Sequence, residues 1–258
     1  MNKKLVALIL IVAGGLAFML PWIFSHQTKE LGPFEYETKE ITYERAGKDN
    51  RDTYSIKAAY PFFTDGFTEE VAGKINDTLT ATVRSTALSV KKEFEDQYGS
   101  GDVANTYIPA VPLSYEGQAD VSADLTKLPF VNVTLSGYQY SGGAHGLTVI
   151  TTSVFDVATG DRITLPSLFE GDYLNVLSRL ALAEIKKIDL ELTTFTFAED
   201  GTLPDENNFS AFTLKPDGFH LIFQSYQVAP YVVGEPEIII PYASLEDILA
   251  PKYKEVLK

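Results

Sequence analysis

The sequence predicts an α+β fold, with one N-terminal transmembrane helix followed by antiparallel sheets that pack against two main helices. Three observations lead to this fold class. An uncharged apolar stretch opens the chain, several later segments alternate between apolar and polar residues, and two segments repeat apolar residues at helical spacing. Because strands and helices occur in groups and do not alternate strictly, we expect the sheets to be antiparallel.

The stretch from Leu5 to Phe24 contains no charged residue and is long enough to cross a hydrocarbon core of about 30 Å. Lys3 and Lys4 precede it, so the positive-inside rule places the N-terminus in the cytoplasm and the C-terminal domain outside the cell membrane. A cleaved signal peptide is the alternative, but cleavage after Ala17 would leave a strongly apolar N-terminus. Residues 1–30 are therefore predicted to comprise a cytoplasmic stub, a single-pass membrane anchor and a linker.

The part of the chain after this stretch is strongly acidic. Residues 31–258 contain 18 Lys and Arg residues against 34 Asp and Glu residues, which leaves a formal charge of −16. A surface that binds nucleic acid needs clustered basic residues, so the composition excludes nucleic acid as a partner. The field of the domain would attract a cationic partner, although solubility alone also explains such a charge. The chain has no Cys, which excludes disulfides and thiolate metal sites.

Residues 31–110 are predicted to form the first half of the exported domain. Alternating residues indicate two strands, one from Phe34 to Glu44 and one from Tyr54 to Tyr60. A long helix follows and ends at a glycine-rich segment, residues 99–101. The apolar positions that recur at helical spacing are Phe67, Val71, Ile75, Leu79, Val83, Val90 and Phe94.

Residues 111–258 are predicted to form the second half. Strands are expected over 111–121, 130–140 and 147–157, and the Gly-rich bend at 141–146 precedes the third of them. Two more strands flank a turn at 215–218, and a buried strand runs from Ile238 to Ile240. A second main helix is marked by Leu174, Leu177, Ala181, Ile185, Ile188 and Leu192. Ser244 is expected to cap a short last helix that contains Leu245, Ile248 and Leu249.

Three segments in this second half resemble a bacterial extracytoplasmic family of poorly defined function. They are residues 138–146 (YQYSGGAHG), residues 155–165 (FDVATGDRITL) with the following Leu168-Phe169, and residues 219–231, which end in YQVAPY. The family forms the ectodomain of RsiV-type anti-sigma factors, which sense lysozyme, and the N-terminal module of PdaC-type peptidoglycan deacetylases. The resemblance extends over residues 35–250 and implies an envelope-facing module that contacts glycan or a glycan-cleaving protein.

Two departures limit what this resemblance implies. Only Met1 to Lys4 precede the predicted span, so we expect no cytoplasmic segment that could hold a sigma factor. The deacetylase relatives carry their metal chemistry in a separate domain, and we expect none in this chain. The resemblance therefore implies a binding module, without a cofactor and without catalytic residues.

The Gly-rich bend and the turn at Ala229-Pro230-Tyr231 are the candidate binding residues. We expect them to lie at the same end of the sheet and to form a recognition surface for a cationic lysozyme-like protein or for peptidoglycan glycan. The residues are Tyr140, Ser141, Gly142, Gly143, His145, Pro230 and Tyr231. The alternative for the bend is structural, because glycines supply positive φ and His145 can brace the turn by a hydrogen bond.

The sequence offers little support for catalysis. Only three histidines are present and no two are closely spaced, so a metal site is not predicted. The bend lacks the Lys and Ser/Thr of a phosphate-binding loop. Two alternatives to a binding module stay open, a cell-wall-directed enzyme with His145 as general base and an inert structural domain. The tyrosines Tyr226, Tyr231 and Tyr242 fit either exposed anchors or core residues.

Overall fold

The computed structural model describes residues 34–99 and 108–258, so the predicted membrane helix from Leu5 to Phe24 lies outside the described residues. Within those two ranges, no helix combines the length and the apolar character that a bilayer crossing requires. The described residues belong to one compact unit. The division of this unit at residue 110 stays a prediction.

The first sheet has six strands, and their order in space follows their order in the chain. The strands are β1 (Glu35–Arg45), β2 (Tyr54–Asp65), β3 (Leu113–Ser122), β4 (Phe130–Tyr140), β5 (Leu147–Asp156) and β6 (Arg162–Ile163). Neighbours are antiparallel, with one exception: β2 and β3 run parallel, with Tyr54 opposite Leu113. The prediction of purely antiparallel sheets is wrong at this pair. The helix between them carries the chain back to the end at which β2 began, and a strand that starts there must run parallel to β2.

That helix is α1 (Glu69–Gly99), the long helix predicted from the apolar spacing. Thr68 caps its start, since the side-chain oxygen accepts a hydrogen bond from the Val71 N–H at 3.3 Å. Phe67, expected inside the helix, lies just before it and stacks on Phe34 with ring centroids 5.4 Å apart. The buried face of α1 comprises Val71, Ile75, Leu79, Val83, Ala87, Val90 and Phe94.

The second half adds a small antiparallel sheet and the second main helix. The small sheet contains β7 (Phe212–Lys215), β8 (Gly218–Ile222) and β9 (Glu237–Ile240). The described helices in this half are α2 (Leu165–Leu168), α3 (Tyr173–Ile188), α4 (Ala198–Gly201) and α5 (Pro251–Lys254). Helix α3 ends earlier than predicted, because the backbone of Asp189 leaves the helical region, with φ of −138° and ψ of 84°. The α+β class with two long helices is confirmed.

The predicted helix after Ser244 is wrong. A 3-10 turn at Tyr242–Ser244 is followed by further turns, and α5 begins only at Pro251. Leu249 forms a bridge with Phe169, and the Ala250 N–H donates to the Leu168 carbonyl at 2.9 Å, which holds the chain extended there. Proline also disfavours helical backbone in the residue before it. Leu245, Ile248 and Leu249 are buried by this turn and need no helix.

The first sheet separates two cores. Alternate residues of one strand point to opposite faces, so Val131 packs with α1 while Phe130 packs with α3 and the small sheet. Likewise, two adjacent β5 residues lie in different cores. Phe155 lies in the first core, on the α1 side of the sheet, and Val154 lies in the second core, on the side of α3 and the small sheet. The molecule is therefore layered, with α1 on one face of the large sheet and the small sheet on the other.

Buried side-chain amides join elements where strand pairing is missing. The Asn132 amide on β4 accepts from the Leu214 N–H and donates to the Leu214 carbonyl, both at 2.9 Å, as a neighbouring strand would. Asn76 of α1 does the same to Phe63, at 2.8 and 2.9 Å. Such bonds satisfy backbone groups that would otherwise be buried without a partner.

Candidate functional site

The Gly-rich bend connects β4 to β5, and its backbone is hydrogen-bonded to two tyrosine hydroxyls. The Tyr140 hydroxyl accepts from the Gly143 N–H at 3.3 Å and donates to the Gly143 carbonyl at 3.1 Å. The Tyr138 hydroxyl accepts from the Gly146 N–H at 3.0 Å. These bonds give the bend one defined conformation, so it can present a side chain in a fixed place.

The glycines of the bend are required by its geometry. Gly142 has φ of 84° and Gly143 has φ of 153°, values that residues with a side chain rarely adopt. A Cβ on Gly146 would lie 2.4 Å from the Gln139 carbonyl oxygen, which is too close for any contact. The glycines therefore have a structural role in the bend, as the alternative interpretation held for them. This conclusion does not depend on the role of His145.

Helix α1 fixes the other side of the bend. The Gln139 amide and the Ser141 hydroxyl both donate to the Glu93 carboxylate, at 2.8 and 3.2 Å. A shallow groove of about 660 Å³ runs beside this contact, and Glu93 and Asp96 of α1 line it. The bend thus lies next to carboxylates.

The predicted turn at Pro230 belongs to a closed surface loop, residues 224–235, which we call the Ω-loop. Its two ends are joined by the hydrogen bond from the Phe223 N–H to the Pro236 carbonyl at 2.8 Å. Val228 and Ala229 point into the second core and are fully buried. Outside, a 3-10 turn at Tyr231–Val233 leaves Val232 90% exposed. The loop is therefore anchored from within and apolar at its tip.

The bend and the Ω-loop meet through stacked rings. The rings of His145 and Tyr231 are 4.2 Å apart between centroids at an angle of 22°. Tyr226 stacks on the same Tyr231 at 5.7 Å and 30°. The structure thus brings together the predicted bend and turn, and His145, Tyr226, Tyr231 and Val232 form what we call the aromatic surface. Its role in binding stays a prediction.

His145 itself is exposed. Its Nδ1 lies 2.9 Å from the Gly146 carbonyl oxygen, and because a carbonyl only accepts, Nδ1 must donate. Among the described residues, the histidine that pairs with carboxylates within 4 Å is His220, and His145 has no such pair. The arrangement is a ring held against Tyr231 and open to solvent, without the acid neighbour that a general base commonly has.

The other tyrosine considered from the sequence has a different environment. Tyr242 is buried, its hydroxyl donates to the Lys215 carbonyl at 2.8 Å, and burial raises its pKa. It is a core residue, as the alternative interpretation held. Tyr226 lies outside, 46% exposed, with a left-handed backbone of φ 67°. Non-glycine residues in this region are strained, and such strain is concentrated at functional sites.

A second histidine, His220 on β8, lies in a clamp of two carboxylates. Its side chain is 6% exposed; Nε2 lies 2.8 Å from the Asp217 carboxylate, and Nδ1 contacts Glu237 on β9. The hydrogen bond from His220 lowers the pKa of Asp217. Burial acts to raise the pKa of Glu237, but hydrogen bonds from His220 and Lys215 outweigh it and the pKa is lowered. With both ring nitrogens occupied, this histidine ties β8 to β9.

Sequence reasoning missed the residues that hold the Ω-loop. Gln224 and Gln227 bond to backbone groups far away in the chain, and Val232 gave no signal apart from being apolar. A pair of glutamines in a loop has no recognisable period, so only the structure identifies their partners. Among the described residues, no group of three or more side chains could hold a metal ion.

Two family comparisons match successive parts of the chain. Residues 47–148 match the deacetylase PdaC family, and residues 166–243 match a family described as protein of unknown function DUF3298. The peptidoglycan-N-acetylmuramic acid deacetylase PdaC of Bacillus subtilis (strain 168) is 36% identical over 130 residues. That match covers 50% of this chain and spans only 28% of the length of the deacetylase.

Two solved structures share the fold. A DUF3298 family member from Bacteroides fragilis has a TM-score of 0.58 at 19% identity, over 88% of this chain and 98% of its own. A DUF3298 family protein from Pseudomonas aeruginosa PAO1 has a TM-score of 0.55 at 16% identity, over 85% of this chain and 94% of its own. Likeness at these identities shows the fold alone. The predicted resemblance to a family with PdaC-type modules is confirmed, whereas the relation to RsiV-type proteins stays a prediction.

Proposed function

The chain carries a PdaC-type segment followed by a DUF3298 segment, and from this premise we propose that it is a membrane-anchored, extracytoplasmic binding or sensing module. The anchor is the stretch from Leu5 to Phe24, with the N-terminus in the cytoplasm. The domain contacts a cell-envelope component through the aromatic surface. The partner is a cationic lysozyme-like protein or peptidoglycan.

The observation that carries this proposal is the ring stack between the bend and the Ω-loop. Three rings from two separate segments share one exposed surface. The apolar Val232 lies beside them and is 90% exposed. Rigid aromatic anchors with an apolar neighbour are typical of binding hot spots. Tyr226 keeps a strained backbone in this position, which also favours a functional role.

Charge supports the cationic partner. Residues 31–258 have a formal charge of −16, and Glu93, Asp96 and Glu235 lie on the segments that flank the aromatic surface. An acidic field accelerates association with a basic protein and weakens as salt screens it. Association with lysozyme should therefore slow markedly as salt rises.

The surroundings of His145 favour binding over catalysis. A general base requires a substrate proton within reach and is commonly tuned by a neighbouring acid. His145 is exposed, its Nδ1 is held by a carbonyl, and its ring faces Tyr231. The rival function, a cell-wall-directed enzyme with His145 as base, would be shown by release of soluble sugar or acetate from purified peptidoglycan.

Calorimetric titration of residues 31–258 with lysozyme and with purified peptidoglycan fragments tests the proposal. We expect one of them to bind at low salt, and Val232→Asp to weaken binding by about tenfold or more. Leu190→Asp is the matched control, because Leu190 is also exposed, at 75%. No binding of either probe, or equal losses in both variants, would contradict the proposal.

The proposed topology has its own test. Protease added to intact cells should digest the domain while the extreme N-terminus stays protected by the membrane. A reporter that is active only outside the cytoplasm should be active when fused at Lys258. Inactivity of this fusion would contradict the extracytoplasmic placement.

A further inference from the structure

The Ω-loop is fastened to the edge of β5 by one side chain. The Gln224 amide accepts from the Ile150 N–H and donates to the Ile150 carbonyl, both at 2.8 Å. Ile150 lies in the outer half of β5, beyond the two residues that pair with β6. The amide therefore takes the place of a neighbouring strand along β5, the strand that leaves the bend.

Gln227 fastens the same loop on its other side. Its side-chain oxygen accepts from the Gln224 N–H at 2.9 Å, and its amide donates to the Gly201 carbonyl at 2.9 Å and the Asn208 carbonyl at 3.0 Å. Gly201 has no room for a side chain, since a Cβ there would lie 2.0 Å from the Gln227 carbonyl oxygen. The two glutamines thus connect β5, the Ω-loop and α4 in one continuous set of bonds.

Tyr226 lies between these two glutamines in the chain. Its backbone is left-handed, a conformation that persists only where the flanking residues are held in place. Ser225 directly precedes Tyr226, and its hydroxyl donates to the Glu235 carboxylate across the neck of the loop. The strained residue is therefore bracketed by side chains whose partners lie on β5 and α4.

We infer that Gln224 is a positioning residue, which sets the register of the Ω-loop against β5 and so brings Tyr231 onto His145. The inference rests on the proposed function, because it concerns the same aromatic surface. Gln224 itself is half-buried and does not belong to that surface. His145 follows β4 and Tyr231 follows β8, so the two rings meet only if the Ω-loop is held at one place on β5.

The test uses the full-length chain in detergent with 13C-labelled histidine. The chain has three histidines, so its spectrum contains three ring signals, which His→Ala variants assign. In the wild type, the Tyr231 ring should displace the His145 signal upfield of free histidine. Gln224→Met keeps the side-chain length and removes both bonds to Ile150, and we expect the His145 signal to move most of the way to the free value. Lysozyme or peptidoglycan affinity, whichever the wild type shows, should fall by about tenfold.

The matched control is Asn76→Ala, which removes the same kind of paired amide bonds, here between α1 and Phe63 on β2. We expect it to lower the melting temperature at least as much as Gln224→Met, with an unchanged His145 signal and unchanged affinity per folded molecule. Asn76→Ser, which keeps a hydrogen-bonding group and adds no buried charge, replaces it if the alanine variant does not fold. An unmoved His145 signal in Gln224→Met, or an equal movement in both variants, would overturn the inference.

The two proposals fail separately. If neither probe binds the wild type but the His145 signal moves in Gln224→Met, the proposed function is overturned and the positioning role is supported. If the probe binds the wild type and Val232→Asp abolishes this while Gln224→Met changes nothing, the positioning role is overturned and the proposed function is supported.

Discussion

The two described histidines occupy opposite kinds of environment. His220 is buried on β8 with a carboxylate at each ring nitrogen, whereas His145 is exposed on the bend with one nitrogen on its neighbour's carbonyl and its ring on Tyr231. Both ring nitrogens of His220 have partners within the fold. His145 keeps its Nε2 and one ring edge available. The comparison indicates that β8 and β9 form a framework, whereas the bend presents an exposed ring, as the proposed binding role requires.

The largest expected effect is in the framework. His220→Ala leaves Asp217 and Glu237 without their shared hydrogen-bond donor and with their charges facing one another. Breaking a buried ion pair costs about 3–5 kcal/mol, and since both carboxylates are partly exposed we expect roughly 2 kcal/mol. For a domain of this size the melting temperature should fall by about 4–8 °C. A thermal melt without any fall would contradict the framework role.

An effect of about the same size is expected in the bend. Gly142→Val places a β-branched residue at φ of 84° and should cost about 1–3 kcal/mol. Gly142→Asn is the control, because asparagine tolerates left-handed backbone and should lose less stability. Equal losses in chemical denaturation of the two variants would show that the positive φ is not the cause.

The pH dependence of stability should reflect the clamp. The pKa of Asp217 is lowered in the folded protein, so its contribution is fully present above the pKa of the unfolded chain, near 4, and is lost as the pH falls through the folded value. Urea midpoints measured from pH 6 downwards should therefore fall more steeply in the wild type than in Asp217→Asn. Parallel curves would place the acid sensitivity elsewhere.

The smallest effect on stability is expected at His145. Because its ring is exposed and packs only on a surface tyrosine, His145→Ala should change the free energy of unfolding by about 0.5 kcal/mol or less. Partner affinity should fall nevertheless, which the titration with lysozyme or peptidoglycan measures. A strongly lowered melting temperature would make His145 a structural support of the bend and remove the contrast with His220.

Much of the fold followed from local patterns in the sequence. The apolar spacing of α1 and the alternation in β1 to β5 reflect burial on one face, which the order of residues records directly. The parallel pairing of β2 with β3 depends on where a helix returns the chain, and alternation carries no information on direction. The apolar residues after Ser244 had helical spacing, yet contacts with Leu168 and Phe169 decided their conformation.

For the candidate site, the sequence identified the bend and the turn but not what joins them. Glycines and the Ala-Pro-Tyr turn are visible in one chain segment each. The bonds from Gln224 to Ile150 connect residues 74 positions apart, and no single-sequence pattern records such a pair. Nor could the sequence separate an exposed Tyr226 from a buried Tyr242, because both are tyrosines near prolines.

The parallel junction between β2 and β3 also has a consequence for how the chain folds. The hairpin of β1 with β2 and the meander of β3, β4 and β5 join strands that are adjacent in sequence, and such contacts form early. Pairing of Tyr54 with Leu113 must close a much longer loop, which contains all of α1. Loop closure on this scale carries a larger entropic cost, so this seam should be the slow step. During synthesis from the N-terminus, the hairpin and α1 must therefore wait, with one edge of β2 open, until β3 has emerged.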